Sequence, residues 1–289
     1  MATIGITIPE SVWSARSERF YTQVLHGLED TAVSRGHTVL SHVAASRTEE
    51  LEVMRRWAER GMVDLVILKD LLDEDDLPDQ VRRLGLPFVV IGDVHQGEFS
   101  SVTVDNAGTM RRLLEDLHGC GHRAIGHIGG PTHLLHSRLR REAHQAFVRE
   151  AGLPMLCAEG DYSSDSGAAA TSALLAGPQR PTVLVFDNDA MAIAGAGQVI
   201  AGGLRVPEDV SIVAWDDSPA CQAHTPPLAV LDHLPHQLGI DLARTGLSLL
   251  EDPGAAVRLA HEVPRLLPRG TLLEHPAPAC LAPSQVPIR

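Results

Sequence analysis

Short runs of β-branched residues alternate with longer amphipathic stretches along almost the whole chain. Residues 3–8 (TIGITI), 37–43, 64–68 (DLVIL), 87–91 (PFVVI) and 101–104 read as strands. Between them, Phe20, Val24, Leu28 and Ala32 fall four apart within 17–35, and Leu51, Met54 and Ala58 share a stripe within 47–60. Gly36 and Gly61 close these two helices. The acidic stretch 73–79 opens a shorter helix. Strands separated by helices of this length cannot pair as hairpins. They need crossover connections, which give a parallel sheet covered on both faces.

The pattern then repeats. Helix 106–118 carries Met110, Leu113, Leu114 and Leu117 on one face, and 123–128 (RAIGHI) reads as a strand. Helices follow at 138–151, 164–176 and 190–201, with strands at 182–186, 210–214 and 228–231. A last long helix spans 235–250, a short strand spans 263–267, and the Pro-rich stretch 274–289 is expected as a loose tail. The 289 residues suit about two domains at roughly 100–200 residues each. Two doubly wound sheets that face one another create a cleft, with ligands held at the carboxyl ends of the strands.

Composition removes several classes of function. Nucleic-acid binding requires a Lys/Arg excess to displace counterions; the net charge here is −13 and no basic block stands out. Cys120, Cys157, Cys221 and Cys280 are scattered and form no CxxC pair, which fits reduced thiols in a cytoplasmic protein. No N-terminal apolar segment resembles a secretion signal, and no apolar run approaches the roughly 18 residues of a membrane helix. Nucleophile-elbow, phosphate-loop, zinc-protease and dinucleotide fingerprints are all missing, so catalysis is not expected. His118, Cys120 and His122 alternate with metal-ligand spacing, but a structural zinc site needs a fourth ligand and none is nearby in sequence apart from His127, so no metal or other cofactor is expected.

Two strand ends carry more polar chemistry than capping requires. Asp187, Asn188 and Asp189 follow one strand, where N-capping is the plain alternative to ligand binding. Trp215 and Asp216 follow the next. An indole face beside an acceptor suits a sugar ring, and a core Trp beside a turn explains the pair equally well. Arg138, Arg140 and Arg141 open a helix, and one of them reaching the cleft would grip a ligand while the others stay solvated.

Taken together, these segments resemble a known family. Phe186–Asp189 with Met191 and Ala192, the run 203–213 (GLRVPEDVSIV), Trp215-Asp216-Asp217 and Thr225-Pro226-Pro227-Leu228 closely resemble the effector-binding core of the lactose-repressor/galactose-repressor (LacI/GalR) family of bacterial transcription regulators. Gly121-His122-Arg123, His127–Gly130 and Arg269-Gly270-Thr271 match further stretches, so the resemblance covers residues 3–272. It implies an α/β, periplasmic-binding-protein-like type I fold of two doubly wound parallel-sheet lobes joined by a three-crossover hinge. One lobe would be 1–118 plus 232–260, the other 119–231 plus 261–289. It also implies a homodimer that senses a small sugar-like effector. Carried over by position, Phe20, Tyr21, Arg140, Asn188, Asp189, Asp216 and His233 would touch that effector, with Lys69, Asp70 and Asp105 on loops facing the cleft, beside Asp187 and Trp215. Family members begin with a helix-turn-helix head and a hinge helix; neither is found here, so contact with operator DNA is expected only through that head. Asp187 stands where the family has a small residue, and Trp13 with the loop 9–17 is expected to reshape the pocket. A free-standing solute-binding protein is the principal rival reading, and a two-lobed enzyme the third.

Overall fold

The computed structural model describes residues 1–10, 19–72, 76–92, 99–254 and 256–273. The expectations for Trp13, for 73–75, for Cys280 and for the 274–289 tail lie outside these residues.

Two six-stranded sheets form, and the same winding occurs twice. The first contains β1 (Thr3–Pro9), β2 (Thr38–Ala44), β3 (Leu65–Leu68), β4 (Phe88–Ile91) and β5 (Ser100–Thr103), in the order β2-β1-β3-β4-β5. The second contains β6 (Ile125–Gly129), β7 (Leu156–Glu159), β8 (Val183–Phe186), β9 (Ser211–Ala214) and β10 (Ala229–Asp232), in the order β7-β6-β8-β9-β10. All these neighbours pair in parallel. Two edge strands complete the sheets: β11 (Arg258–Ala260) runs parallel to β5, and β12 (Arg265–Leu267) antiparallel to β10. Strands β3, β8 and β9 are buried along their whole length, which is why they read as unbroken apolar runs rather than alternating ones. Strands β7 and β11 escape the sequence reading because they are short and partly exposed, with no apolar run to announce them. The antiparallel β12 departs from the all-parallel expectation, as edge strands of doubly wound sheets often do.

The helices are α1 (Arg19–Ser34), α2 (Arg47–Arg60), α3 (Leu77–Arg83), α4 (Asn106–Gly119), α5 (Leu135–Glu150), α6 (Ser164–Leu175), α7 (Asp189–Ala201), α8 (Pro219–Ala223) and α9 (Pro235–Glu251). Local chemistry fixes their ends. Ser46 caps α2 by accepting from Glu49 N, and Gly61 closes it in the left-handed region with φ 59°. Helix α4 leaves the first sheet but packs on α5, where Met110, Leu113, Leu114 and Leu117 join a core with Ile125, Phe147 and Val185. A lobe boundary at 118/119 therefore cuts α4 away from its packing partners; the apolar face of the helix belongs to the second sheet. Helix α9 does the reverse, placing Leu238, Leu242 and Leu247 in the core of the first sheet. The chain thus passes between the sheets three times, after β5, after β10 and between β11 and β12. On the third passage, His261 Nδ1 lies 2.9 Å from Asp241 Oδ2 of α9 and its Nε2 2.9 Å from His233 O on the second. One imidazole ties two passages together.

Helices α1 and α9 touch backbone to backbone. A Cβ on Gly27 would run into the carbonyl of His236, and one on Gly239 into that of Val24. Gly27→Ala and Gly239→Ala should each cost about 1–3 kcal/mol through overpacking. Gly197→Ala, in a helix with nothing near its added methyl, should be neutral or stabilising by about 0.5–1 kcal/mol. Urea midpoints of the three variants check the contrast.

Candidate ligand site

Both sheets reverse direction of winding beside their first strand, so the connections that leave the carboxyl ends of β1 and β3 run apart, as do those that leave β6 and β8. Residues at these ends converge on one cavity of about 530 Å³. Thr7 and Ile8 arrive from β1, Lys69 and Asp70 from β3, Pro131 from β6, Asp187 from β8, and Trp215 and Asp216 from β9. The cavity is closed on one side by a backbone latch between the lobes: Leu72 and Leu134 form an antiparallel bridge, and Leu135 N donates to Leu71 O at 3.0 Å.

Arg140, 9% exposed, sits on the floor. Its Nε donates to Asn106 Oδ1 at 2.8 Å, its Nη1 lies 3.7 Å from Asp187 Oδ1, and its guanidinium stacks 4.1 Å above the Trp215 ring. Asp187 is held further by His127 Nε2 at 2.9 Å and by Gly130 N at 3.0 Å. Burial pushes the Asp187 carboxyl up, but the charges of His127 and Arg140 and these hydrogen bonds outweigh it and hold the group at about 2. The buried Asp187 carboxylate is therefore compensated locally. Behind His127 stands His144, whose Nε2 lies 3.0 Å from Ile125 O. Burial, with repulsion from His127, lowers His144 to about 4.

A second polar cluster comes from the first sheet. Tyr21 O–H donates to Asp70 Oδ1 at 2.6 Å, and Lys69 Nζ donates to Asp70 Oδ2 at 3.0 Å while lying 4.9 Å from the Tyr21 ring centre. Burial opposes ionisation of Asp70, yet Lys69, His136 and the Tyr21 hydroxyl bring its carboxyl down to about 2. Arg47 donates to Glu50 at 2.6 Å and to Asp70 O at 2.9 Å, and Thr7 Oγ1 donates to the other Glu50 oxygen. Asp216 behaves differently: burial raises it to about 7 against the pull of Arg140, with Asp189 and Asp187 adding to the rise.

Phe20, Tyr21, Lys69, Asp70, Arg140, Asp187, Trp215, Asp216 and His233 all line the cavity. Asp105 does not: it is exposed and caps α4, accepting from Gly108 N, with Arg112 3.4 Å away. Asn188 is also spent on structure. Its Oδ1 accepts from Met191 N as the cap of α7, and its Nδ2 donates to Tyr162 O, where the backbone sits in the left-handed region at φ 70°. Asn188 thus positions Tyr162, which does line the cavity. Asp189 lies outside this cavity, in a smaller chamber beside it. Trp215 is only 1% exposed, with Arg140 over its ring and the His233 ring centre at 5.2 Å, so the core alternative describes it better than an open sugar platform. Arg138 and Arg141 pair with Glu142 and Glu159, leaving Arg140 as the inward one.

Asn106, His136, Tyr162, Arg47 and Glu50 line the cavity without having been singled out. The Tyr162 hydroxyl lies 2.8 Å from His136 Nε2 and 2.6 Å from Ser137 Oγ. An aromatic residue just before the Ser163 helix cap was the available signal for Tyr162. The alternating His118, Cys120 and His122 form no metal centre: His118 packs edge-on to Phe147, His122 Nδ1 lies 3.0 Å from Thr182 Oγ1, and no metal-binding group of His, Cys, Asp or Glu occurs among the described residues.

Asp187→Ala should destabilise the protein by about 3–5 kcal/mol, because it strands Arg140 in a buried site; chemical denaturation measures this. His144 sets a pH window. Its folded value of about 4 lies below its ordinary 6.5, so the unfolded chain takes up the proton first. Its contribution is constant above pH 6.5, and stability falls between pH 6.5 and 4 by up to about 1.4 kcal/mol per pH unit. His144→Gln should reduce that slope in urea titrations across the window without removing it, because burial lowers His136 and His233 in the same direction.

Residues 114–272 match the family model described as a periplasmic binding protein-like domain. The HTH-type transcriptional regulator CelR of Thermobifida fusca is 29% identical over 248 residues, covering 84% of this chain and 73% of that protein. A solved structure of a CelR–cellobiose complex has a TM-score of 0.84 at 28% identity, covering 93% of this chain and 84% of that one. A LacI family transcriptional regulator from Bifidobacterium animalis subsp. lactis DSM 10140 has a TM-score of 0.85 at 27% identity, covering 93% and 97%. These relatives are transcriptional regulators rather than enzymes. No helix among the described residues is long and apolar enough to cross a membrane. With more than half its length matching that model, the chain belongs to the periplasmic binding protein-like domain family, as an effector-binding core of the LacI type.

Proposed function

We propose that this chain is the sensing and dimerising core of a cytoplasmic transcription regulator whose effector is a saccharide without acidic groups. The observation that carries this reading is the charge balance of the cavity. Its bases, Arg47, Lys69 and Arg140, are each already engaged with a carboxylate of the cavity wall. Its acids, Glu10, Glu50, Asp70, Asp161, Asp187 and Asp216, outnumber them. Among the described lining residues, a sugar acid or phosphate would meet net repulsion and no Lys or Arg that is not already paired. Hydroxyls, by contrast, find carboxylate and amide acceptors, with aromatic carbon from Phe20 and Tyr21 in one lobe and Tyr162 in the other. The cellobiose bound to CelR supports the same ligand class.

In this reading, effector binding biases the relative setting of the lobes, and a homodimer transmits the change to operator DNA through a helix-turn-helix head of the kind the HTH-type relative is named for. A transport role for a solitary solute-binding protein draws no support from the relatives, which are regulators.

Isothermal titration with glucose, cellobiose and galactose, each against its uronic acid counterpart, tests the proposal. At least one neutral sugar should bind, and at least about tenfold tighter than its acid. Arg140→Ala should weaken that binding by about 100-fold or more through loss of a charge-assisted donor. Preferential binding of the acids, or no binding by any saccharide, would overturn the reading.

A further inference from the structure

Beside the main cavity lies a chamber of about 120 Å³ that shares Phe20, Asp216 and His233 with it as walls. It is roughly four water volumes at about 30 Å³ each, the size of a short substituent rather than a ring. Asp189, Asp217 and Asp232 add carboxyls, and no Lys or Arg is among the described residues that line it.

The carboxyls are not equivalent. Asp217 is saturated, with both oxygens taken by Arg269 at 2.8 and 2.7 Å and a further bond from Gln222 at 3.1 Å. Asp232 accepts from Leu234 N at 3.0 Å. Asp189 is 2% exposed, and its Oδ2 has no hydrogen-bond partner among the described residues. His233 is 5% exposed, and its Nε2 is likewise without one. Burial and the nearby Arg140 keep that imidazole neutral, so its ring can offer a lone pair. Asp216 closes the set. Burial raises both Asp189 and Asp216, and neither a hydrogen bond with Ser218 at Asp189 nor the pull of Arg140 on Asp216 offsets it.

Buried acceptors without donors are costly unless something supplies the donors. A hydroxyl has one proton to give; a primary ammonium has three, carries the missing charge and presents no acceptor to repel the carboxylates. We propose that this chamber is a subsite for a primary ammonium group, so that the preferred effector is an amino sugar seated with its ring in the main cavity and its amine between Asp189, Asp216 and His233. The inference rests on the saccharide reading of the main cleft and adds a specificity element to it.

The test is titration of the wild-type protein with glucose and with its 2-amino, 3-amino and 6-amino deoxy forms, at a pH where the amines are protonated. One amino form should bind at least about tenfold tighter than glucose, as a new charge-assisted contact set requires. N-Acetylation of that amine should abolish the advantage. Asp189→Asn, checked by thermal melting, should reduce the ratio of amino to neutral affinity to about threefold or less. If all amino forms bind no better than glucose, the chamber is only a water pocket and the subsite is overturned, while glucose binding still upholds the main cleft. If neither these sugars nor the cellobiose and galactose titrated for the main cleft bind, both readings fall. The wild-type comparison decides the matter even if the variant does not fold.

Discussion

A guanidinium withdrawn from water at the junction of two lobes governs the chemistry of this cleft. Removing such a charge from solvent costs several kcal/mol unless partners surround it. The partners of Arg140 come from separate parts of the fold: Asn106 from the first amino acid of α4, Asp187 from the end of β8, Trp215 from the end of β9. Asp187 in turn depends on His127, and His127 lies against His144. A ligand that draws on Arg140 competes with Asp187, so its gain is the difference between two hydrogen-bonded states.

The alternation of strand and helix revealed the two sheets, and the sheets revealed where ligand chemistry must gather, because the positions at strand ends follow from topology alone. What alternation could not reveal was the facing of individual residues. Asp105 and Asn106 are neighbours at the same turn; cap geometry commits the Asp105 carboxylate to Gly108 N and leaves Asn106 to meet Arg140. Asn188 and Asp189 are likewise neighbours, one consumed as a cap and as the support of Tyr162, the other walling the side chamber. Spacing around Trp215 was equally compatible with a sugar platform and with packing, and only the stacked Arg140 and His233 separate the two. Tyr162 went unnoticed because it follows β7, an edge strand too short and too exposed to leave a hydrophobic signature.

Asp187 shows how a buried carboxylate can be absorbed. A carboxylate placed among buried strand ends would be ruinous alone, yet His127, the Gly130 amide and Arg140 each supply part of its compensation. Neither His127 nor Asp187 can therefore change freely without the other. The hinge is built on a similar economy of polar groups. His261 joins Asp241 and the His233 carbonyl, and the His233 ring belongs to both cavities, so the ligand chamber and the passages between the lobes share a residue.

The backbone latch at Leu71–Leu72 and Leu134–Leu135 separates two quantities that are often treated as one. Its hydrogen bonds are between main-chain groups and are indifferent to which molecule lies in the cleft. A ligand that enters on that side must part the same two segments, whichever molecule it is. Side-chain contacts inside decide how deep each ligand's well is. Under the proposed sensing role, related effectors that enter on the latched side should share an association rate and differ in how long they stay, so that residence time rather than encounter would tell one from another.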